Sequence, residues 1–157
     1  MENRTPIVYI VDDDKDLRTS LAWLLESVSV KAQCFAGAEE FLEHYDPRQP
    51  ACLVLDVRMP QTSGFQLQDI LNRRGSTLPT IFVSAHGDIP MSVTAMKNGA
   101  LDFVEKPYNP QQMIDRIQAA LKTAVQAQAD QEQREHLQGK LALLTSRERE
   151  VLMLVVD

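Results

Sequence analysis

The stretch IVYIVDDD, residues 7–14, is a continuous apolar run rich in β-branched residues that ends in three aspartates. Such a run is typical of a buried strand. Apolar residues then recur at helical spacing, which predicts an amphipathic helix. They are Leu17, Leu21, Leu24, Leu25 and Val28. The sequence therefore predicts a strand, an acidic turn and a helix, in that order.

The same alternation repeats four times further along the chain. Further strands are predicted over 30–35, 52–55, 80–83 and 101–104, and further helices over 38–45, 65–72, 93–100 and from about 111. Near-continuous apolar strands, each followed by a helix, indicate a parallel sheet covered on both faces. We predict an α/β fold: a doubly wound, five-stranded parallel sheet with a C-terminal helical extension.

Composition excludes several classes of protein. The 157 residues include 16 Lys and Arg against 22 Asp and Glu, so the formal charge is −6 and no whole-chain basic surface for nucleic acid is expected. Neither a transmembrane span nor a secretory signal is predicted, so we expect a cytoplasmic protein with no membrane partner. Cys34 and Cys52 lack metal-site spacing, and both are expected to be small buried residues.

Polar and charged residues follow four of the predicted strands. Ligand sites of such sheets lie at the carboxyl ends of the strands, so we expect these side chains to converge. They are Asp12, Asp13 and Asp14 after the first strand, Asp56 after the third, Ser84 after the fourth and Lys106 after the fifth.

Clustered carboxylates oppose one another's ionisation unless a hard cation lies among them. Asp12, Asp13 and Asp56 are therefore candidate Mg²⁺ ligands, and the Lys106 ammonium is suited to a phosphoryl oxygen. A carboxylate there is also a candidate nucleophile that forms an aspartyl phosphate.

Each of these residues also has a purely structural interpretation. Asp14 or Asp16 is suited to cap the first helix. Ser84 taken alone is a turn former, and Lys106 taken alone is a surface lysine. Their placement at four strand ends of one sheet favours a shared site.

The last 36 residues differ from the rest in composition. No large apolar residue occurs between Val125 and Leu137, which predicts a solvated helix or a flexible linker. Thr145 and Glu148 have capping-box spacing, so a new helix is predicted there. Its apolar residues need a partner, either the first domain or the rest of a second domain.

Several motifs in order resemble the receiver domain of bacterial two-component response regulators, a CheY-like fold, over about residues 5–121. They are IVYIVDDD, LVLDVRMPQTSG around Asp56, TIFVSAHGD around Ser84 and ALDFVEKPY around Lys106.

The resemblance implies a role for each matching residue. Asp56 is implied as the phosphoacceptor, and Lys106 as the contact to the phosphoryl group. Asp12 and Asp13 are implied as the acidic pair that organises Mg²⁺, for which Mn²⁺ is a substitute. Asp13, Asp56 and the backbone carbonyl of Arg58 are the implied protein ligands.

A second set of implied residues concerns switching. Ser84 is similar to the family's switch hydroxyl, and Phe103 to the aromatic residue that turns inward with it. The family also has a cis peptide at the position of Lys106–Pro107. Its members pair through the fourth helix and fifth strand, where we expect Val93, Lys97 and Asp102. Arg58 and His86 occupy positions that influence the lifetime of the acyl phosphate.

Two stretches, SAHGDIPMSVTAMKNGALDFVEKP and LTSREREVL, narrow the resemblance to NarL/FixJ-type regulators, the FixJ-like branch in particular. The implied organisation is a receiver domain at 1–121, a helical linker at 122–143 and, at 144–157, the first helix of a truncated LuxR-type helix-turn-helix domain. The implied partners are a sensor histidine kinase and a second copy of the chain. Promoter DNA is implied only for a longer parent chain.

The implied function is transcriptional control switched by phosphorylation of Asp56. No turnover is expected beyond self-catalysed phosphotransfer and acyl phosphate hydrolysis. Two alternatives stay open. A haloacid-dehalogenase-like phosphatase would use Asp12 as nucleophile and Asp14 as acid, but it leaves Asp56 without a role. A receiver-like binding module would never use phosphate.

Overall fold

Strands and helices alternate along the whole chain, as the sequence predicts. The computed structural model describes the backbone of residues 5–85 and 89–156, and the side chains of residues 5–85 and 89–143. The elements are β1 (Ile7–Val11), α1 (Lys15–Glu26), β2 (Lys31–Phe35), α2 (Ala38–His44), β3 (Ala51–Asp56), α3 (Gly64–Arg73), β4 (Thr80–Ser84), α4 (Ile89–Lys97), β5 (Asp102–Glu105) and α5 (Pro110–Val156).

The five strands form one parallel sheet in the order β2-β1-β3-β4-β5. β1 lies between two neighbours, with Val11 opposite Phe35 on one side and Leu55 on the other. All six residues of β3 are buried. The predicted α/β fold is therefore confirmed.

Helices cover both faces of this sheet. On one face, α2, α3 and α4 pack over an aromatic-rich core that includes Tyr9, Phe41 and Phe82. On the other face, α1 and the first part of α5 pack over an aliphatic core that includes Leu21 and Ile117. The acidic turn after β1 thus lies at the carboxyl ends of the strands, in a sheet that is covered on both faces.

The two cysteines differ in exposure. Cys52 in β3 is fully buried, and burial raises its thiol pKa to about 12. Cys34 is exposed, so the prediction that both are buried is wrong for this residue. The reason is topological, because β2 is an edge strand whose residues are largely exposed.

The chain divides into two compact units between Val125 and Gln126. The second unit is helical to Val156, with no new helix start at Thr145. The predicted capping box at Thr145 is therefore wrong at the level of the backbone, because nothing before it breaks the helix; the side chains of 144–157 lie outside the described residues. In the part of the chain that the structure describes, no helix has the length and apolar character needed to cross a membrane.

Candidate functional site

Four strand ends bring their polar residues to one edge of the sheet. Asp12 directly follows β1, and Asp56 is the last residue of β3. Ser84 ends β4, and Lys106 directly follows β5. The convergence predicted from the parallel topology is thus observed for these strands.

Three carboxylates form a compact cluster at this edge. One oxygen from each of Asp12, Asp13 and Asp56 lies within 4.8 Å of the others. Asp12 is 2% exposed and Asp56 is 7% exposed, whereas Asp13 faces solvent. The cluster is therefore open to solvent at Asp13.

Lys106 supplies the nearest positive charge. Its Nζ lies 3.0 Å from Asp12 Oδ2 and 3.8 Å from Asp56 Oδ1. Its backbone N–H donates to the Ser84 carbonyl over 2.8 Å, which fixes the start of the loop after β5. The Lys106–Pro107 peptide is cis, as the resemblance implies.

The carboxyl group of Asp56 is hard to ionise. Burial raises its pKa to about 7, with the charge of Asp12 and a hydrogen bond with Asp13 acting in the same direction. Lys106 and the backbone N–H of Arg58 lower the pKa, but they do not offset the other causes. Negative charge at this edge is therefore only partly compensated within the protein.

The turn after β1 is ordered by its own aspartates. Asp14 Oδ1 accepts from the backbone N–H groups of Asp16 and Leu17, so Asp14 is the N-cap of α1. Asp12 Oδ1 accepts from the Asp14 N–H over 2.9 Å. The structural interpretation thus holds for Asp14, while Asp12 and Asp13 belong to the cluster.

Arg18 also orders this turn, and sequence reasoning missed it. Its Nη1 donates to the Asp12 backbone carbonyl over 2.7 Å. Arg18 lies one turn into α1 from the cap, so the helical spacing from Asp14 was the signal available in the sequence. The guanidinium holds the backbone of the first strand end in place.

Gly64 is a second residue that sequence reasoning missed. A Cβ at this position would lie 2.2 Å from the Asp56 backbone oxygen, so no larger residue fits without moving the end of β3. The Gly64 N–H donates to the Val57 carbonyl over 2.9 Å, and Ser63 and Gln66 form a capping box at the start of α3. The turn after Asp56 is therefore tightly closed.

The two predicted switch residues lie on the α4 side of the sheet. Ser84 is buried. Phe103 is half-buried, and its ring centroid is 6.4 Å from that of Phe82, which lies opposite it in the sheet. A cavity of about 530 Å³ opens beside the cluster, with Asp13 and Met91 among its lining residues.

The residues predicted at the pairing face differ in surroundings. Val93 is an exposed apolar residue of α4, and Lys97 is exposed at the end of the same helix. Asp102 forms an ion pair with Arg116, in which Asp102 Oδ2 lies 3.0 Å from Arg116 Nη1. This ion pair joins β5 to α5. The Arg58 side chain is exposed next to the cluster, and His86 lies outside the described residues.

This donor set fits a hard divalent cation. One ammonium faces three carboxylates, and the raised pKa of Asp56 reflects the uncompensated charge. Mg²⁺ favours oxygen ligands of this kind and keeps several waters, for which the exposed side of the cluster leaves room. Asp56 lies at the centre of the site, which the phosphatase alternative does not account for.

Comparison with known proteins supports the same interpretation. Residues 8–118 match the family model described as the response regulator receiver domain. The response regulator protein TodT of Pseudomonas putida is 39% identical over 156 residues, which cover 99% of this chain and 69% of TodT. The transcriptional regulatory protein FixJ of Rhizobium meliloti (strain 1021) is 39% identical over 149 residues, which cover 95% of this chain and 73% of FixJ.

A solved structure of the response regulator StyR is also similar. It has a TM-score of 0.87 and 42% sequence identity, and the match covers 96% of this chain and 76% of that one. The chain belongs to the response regulator receiver family of two-component systems and is similar to its FixJ-like members.

Proposed function

We propose that Asp56 is the phosphoacceptor of this receiver domain. The observation that carries the proposal is the position of its carboxyl group, which is buried at the end of β3 within reach of Lys106 and two further aspartates. An Asp56 oxygen attacks the phosphorus of a phosphohistidine on the partner kinase. The P–N bond breaks, the imidazole leaves with the bonding electron pair, and an aspartyl phosphate forms.

Lys106 places its ammonium group where it can offset the negative charge of a phosphoryl oxygen on Asp56. In the unmodified chain it pairs with Asp12 Oδ2 over 3.0 Å. Asp13, Asp56 and the backbone carbonyl of Arg58 would hold Mg²⁺, or Mn²⁺ in its place, with Asp12 as the other member of the acidic pair. When bound, the metal ion supplies positive charge that offsets the phosphoryl oxygens.

Ser84 and Phe103 report the modification to α4 and β5. Ser84 moves its hydroxyl towards the phosphoryl group, and Phe103 turns into the space beside it. Both lie on the side of the sheet that α4 covers, which supports this role. The change biases α4 between two arrangements, so that the face bearing Val93 and Lys97 pairs with a second copy of the chain.

The remaining proposals concern partners and organisation. A sensor histidine kinase in the cytoplasm donates the phosphoryl group. Residues 1–121 are the receiver domain, 122–143 a helical linker and 144–157 the part of a LuxR-type DNA-binding domain that corresponds to its first helix, which to Val156 continues α5 without a break. The name of the relative FixJ, a transcriptional regulatory protein, supports control of promoters by a longer parent chain.

Labelling with acetyl phosphate and Mg²⁺ tests the acceptor. Intact mass should show one phosphoryl group on the wild-type chain and none on Asp56→Asn. Asp14→Asn is the matched control, because asparagine preserves the cap of α1 and the residue lies next to the cluster without belonging to it. Labelling of Asp56→Asn, or equal loss in both variants, would contradict the assignment.

Oligomeric state with beryllofluoride and Mg²⁺ tests the pairing face. The wild-type chain should dimerise, and Val93→Glu should prevent this by placing like charges on an apolar face. Lys31→Glu, on the β2 edge at the other end of the sheet, is the control and should dimerise normally. Dimerisation of Val93→Glu would assign pairing to another surface.

A further inference from the structure

Asp12 is held at each of its four polar positions. Its backbone N–H donates to the Phe35 carbonyl over 3.1 Å, and its Oδ1 accepts from the Asp14 N–H over 2.9 Å. Its Oδ2 lies 3.0 Å from Lys106 Nζ, and its backbone carbonyl accepts from Arg18 Nη1 over 2.7 Å. Both the backbone and the carboxylate of Asp12 are therefore fixed before any ion or phosphoryl group binds.

Arg18 is the partner among these four that brings a charged side chain to the backbone of Asp12. A guanidinium keeps its charge throughout the range in which proteins are folded, and a charged donor makes a stronger hydrogen bond than a neutral one. Arg18 is partly buried, and its own N–H donates to the Asp14 carbonyl over 3.1 Å in the first turn of α1. Its side chain therefore links α1 directly to the residue that follows β1.

The carbonyl that Arg18 binds belongs to the peptide unit between Asp12 and Asp13. The C=O of the first residue and the N–H of the second lie in one rigid plane, so holding the carbonyl sets the direction in which Asp13 leaves the backbone. Asp13 is exposed, and one of its carboxylate oxygens lies within 4.8 Å of oxygens of Asp12 and Asp56. An exposed side chain has little packing to hold it, so its place in the cluster depends on this peptide.

The charge of Arg18 does not compensate the cluster. In the part of the chain whose side chains are described, no carboxylate oxygen lies within 4.0 Å of its guanidinium nitrogens. A positive charge near a cation site opposes binding of the cation, whereas a bond that orients a ligand favours it. The charge and the hydrogen bond of Arg18 therefore have opposite effects on Mg²⁺ binding.

We propose that Arg18 is a positioning residue for Mg²⁺ binding: its hydrogen bond to the Asp12 carbonyl holds Asp13 where it can ligate the ion together with Asp56. The inference rests on the proposed phosphoacceptor site and adds to it a residue of α1. Arg18 contacts neither the ion nor the phosphoryl group. Its loss raises the Mg²⁺ concentration that phosphorylation of Asp56 requires and leaves the reaction at saturating Mg²⁺ intact.

Titration of the whole chain with Mg²⁺, followed by the amide chemical shifts of Asp13 and Val57, tests the proposal. Arg18→Met keeps the apolar stem but removes both the charge and the donor. Its dissociation constant should rise about tenfold, the lower end of the range for loss of a group that orients a metal ligand. Removal of a positive charge alone would lower the dissociation constant, so the direction of the change separates positioning from electrostatics.

Lys15→Met is the matched control, because Lys15 is an exposed cation of the same helix and is not one of the four partners of Asp12. Its dissociation constant should equal that of the wild type or fall. Arg18→Lys keeps the charge, but its ammonium lies one atom nearer to the backbone than Nη1, so binding should weaken about threefold, as for a weakened hydrogen bond. An unchanged or lower constant in Arg18→Met, or an equal rise in Lys15→Met, would overturn the proposal. Should Arg18→Met fail to fold, wild-type affinity in Arg18→Lys would overturn it.

Labelling with acetyl phosphate distinguishes this inference from the function on which it rests. In Arg18→Met the Mg²⁺ concentration for half-maximal labelling should rise about tenfold, while the maximal rate stays within about threefold of the wild-type rate. A lower maximal rate with an unchanged Mg²⁺ dependence would overturn the positioning role. A wild-type chain that accepts no phosphoryl group would instead contradict the assignment of Asp56, and the Mg²⁺ titration would still decide the role of Arg18.

Discussion

The two helices that flank β5 along the chain, α4 and the first part of α5, are anchored very differently. α4 buries only Ala95 and exposes apolar side chains, with Ile89 at 78%. Between Pro110 and Val125, α5 buries six side chains, namely Met113, Ile114, Ile117, Ala120, Leu121 and Ala124. Burial of a large aliphatic side chain contributes about 1.5–3 kcal/mol, so the free-energy cost of displacing α4 from the sheet is much smaller than that of displacing this part of α5.

The difference explains how one sheet serves two purposes. α5 fixes one face of the sheet, which keeps Lys106 and the strand ends in place. α4 lies on the other face, where Phe103 and Met91 are only partly buried beside the core. An element held by few buried contacts is the one that a charge change at the strand ends can shift.

The largest expected effect concerns α5. Ile117→Ala should lower the free energy of unfolding by about 3 kcal/mol, because the Ile117 side chain is fully buried and its truncation leaves a cavity in the core. Urea denaturation of the purified chain measures this loss. Lys122→Ala, exposed on the same helix, should change the free energy by less than about 0.5 kcal/mol. A small loss in Ile117→Ala would mean that α5 is not the better anchored helix.

The next effect concerns the carboxylates. Because Asp56 has a pKa of about 7 in the folded chain, far above its ordinary value, the folded state binds a proton that the unfolded state has lost. In metal-free buffer the free energy of unfolding should therefore fall as the pH rises from about 4 to about 7, by on the order of 2 kcal/mol.

Urea denaturation at a series of pH values measures this slope. Asp56→Asn should flatten it and be the more stable protein at pH 8, whereas Asp14→Asn should keep it. Adding Mg²⁺ should restore stability at high pH, since ion binding favours the charged form. A wild-type slope of the opposite sign would show that Lys106 dominates the environment of Asp56.

Hydrogen exchange sharpens the comparison between the helices. With beryllofluoride and Mg²⁺, amides of α4 should change their exchange rate about tenfold, equivalent to about 1.4 kcal/mol, while those of 113–121 in α5 stay within about twofold. Asp56→Asn should abolish the response. Equal changes in the two helices would show that the sheet moves as one body with both of them.

The smallest expected effect lies at the end of α4. Asn72→Ala removes the bond to the Asn98 carbonyl, an exposed contact, and should cost about 0.5–1 kcal/mol. It should also raise amide exchange in the last turn of α4. Asp69→Ala on the same helix, whose ion pair with Arg73 lies on the exposed surface, is the control and should leave α4 unchanged.

Much of this organisation follows from sequence pattern. Continuous apolar runs located the central strands, because strands buried on both faces leave no polar alternation. The pattern also located β2, but it did not predict that β2 is largely exposed. That exposure follows from its edge position, and the position depends on the strand order of the whole sheet. α4 begins at Ile89 rather than 93, because Pro90 fits the first turn of a helix, where its missing N–H costs nothing.

The site residues likewise divide into those that the sequence predicted and those that it did not. Asp12, Asp56 and Lys106 were predictable, because the carboxyl ends of parallel strands meet at one edge. Gly64 was not, because its role depends on how closely a Cβ at this position would approach the Asp56 backbone oxygen in the folded chain. For Arg18 the helical spacing from Asp14 was available, but that spacing does not by itself indicate a hydrogen bond to the Asp12 carbonyl. A residue whose role is to contact backbone atoms gives little signal in the local spacing of apolar and polar residues.

The strand order has one more consequence. The chain leaves β1 towards β2 on one side of the sheet and leaves β3 towards β4 on the other, so the connections after these two neighbouring strands diverge. A crevice between them follows from connectivity alone. A chain with asparagine at Asp12, Asp13 and Asp56 should therefore keep the crevice while losing its charge. The strand order creates the crevice, and the carboxylates determine only its charge.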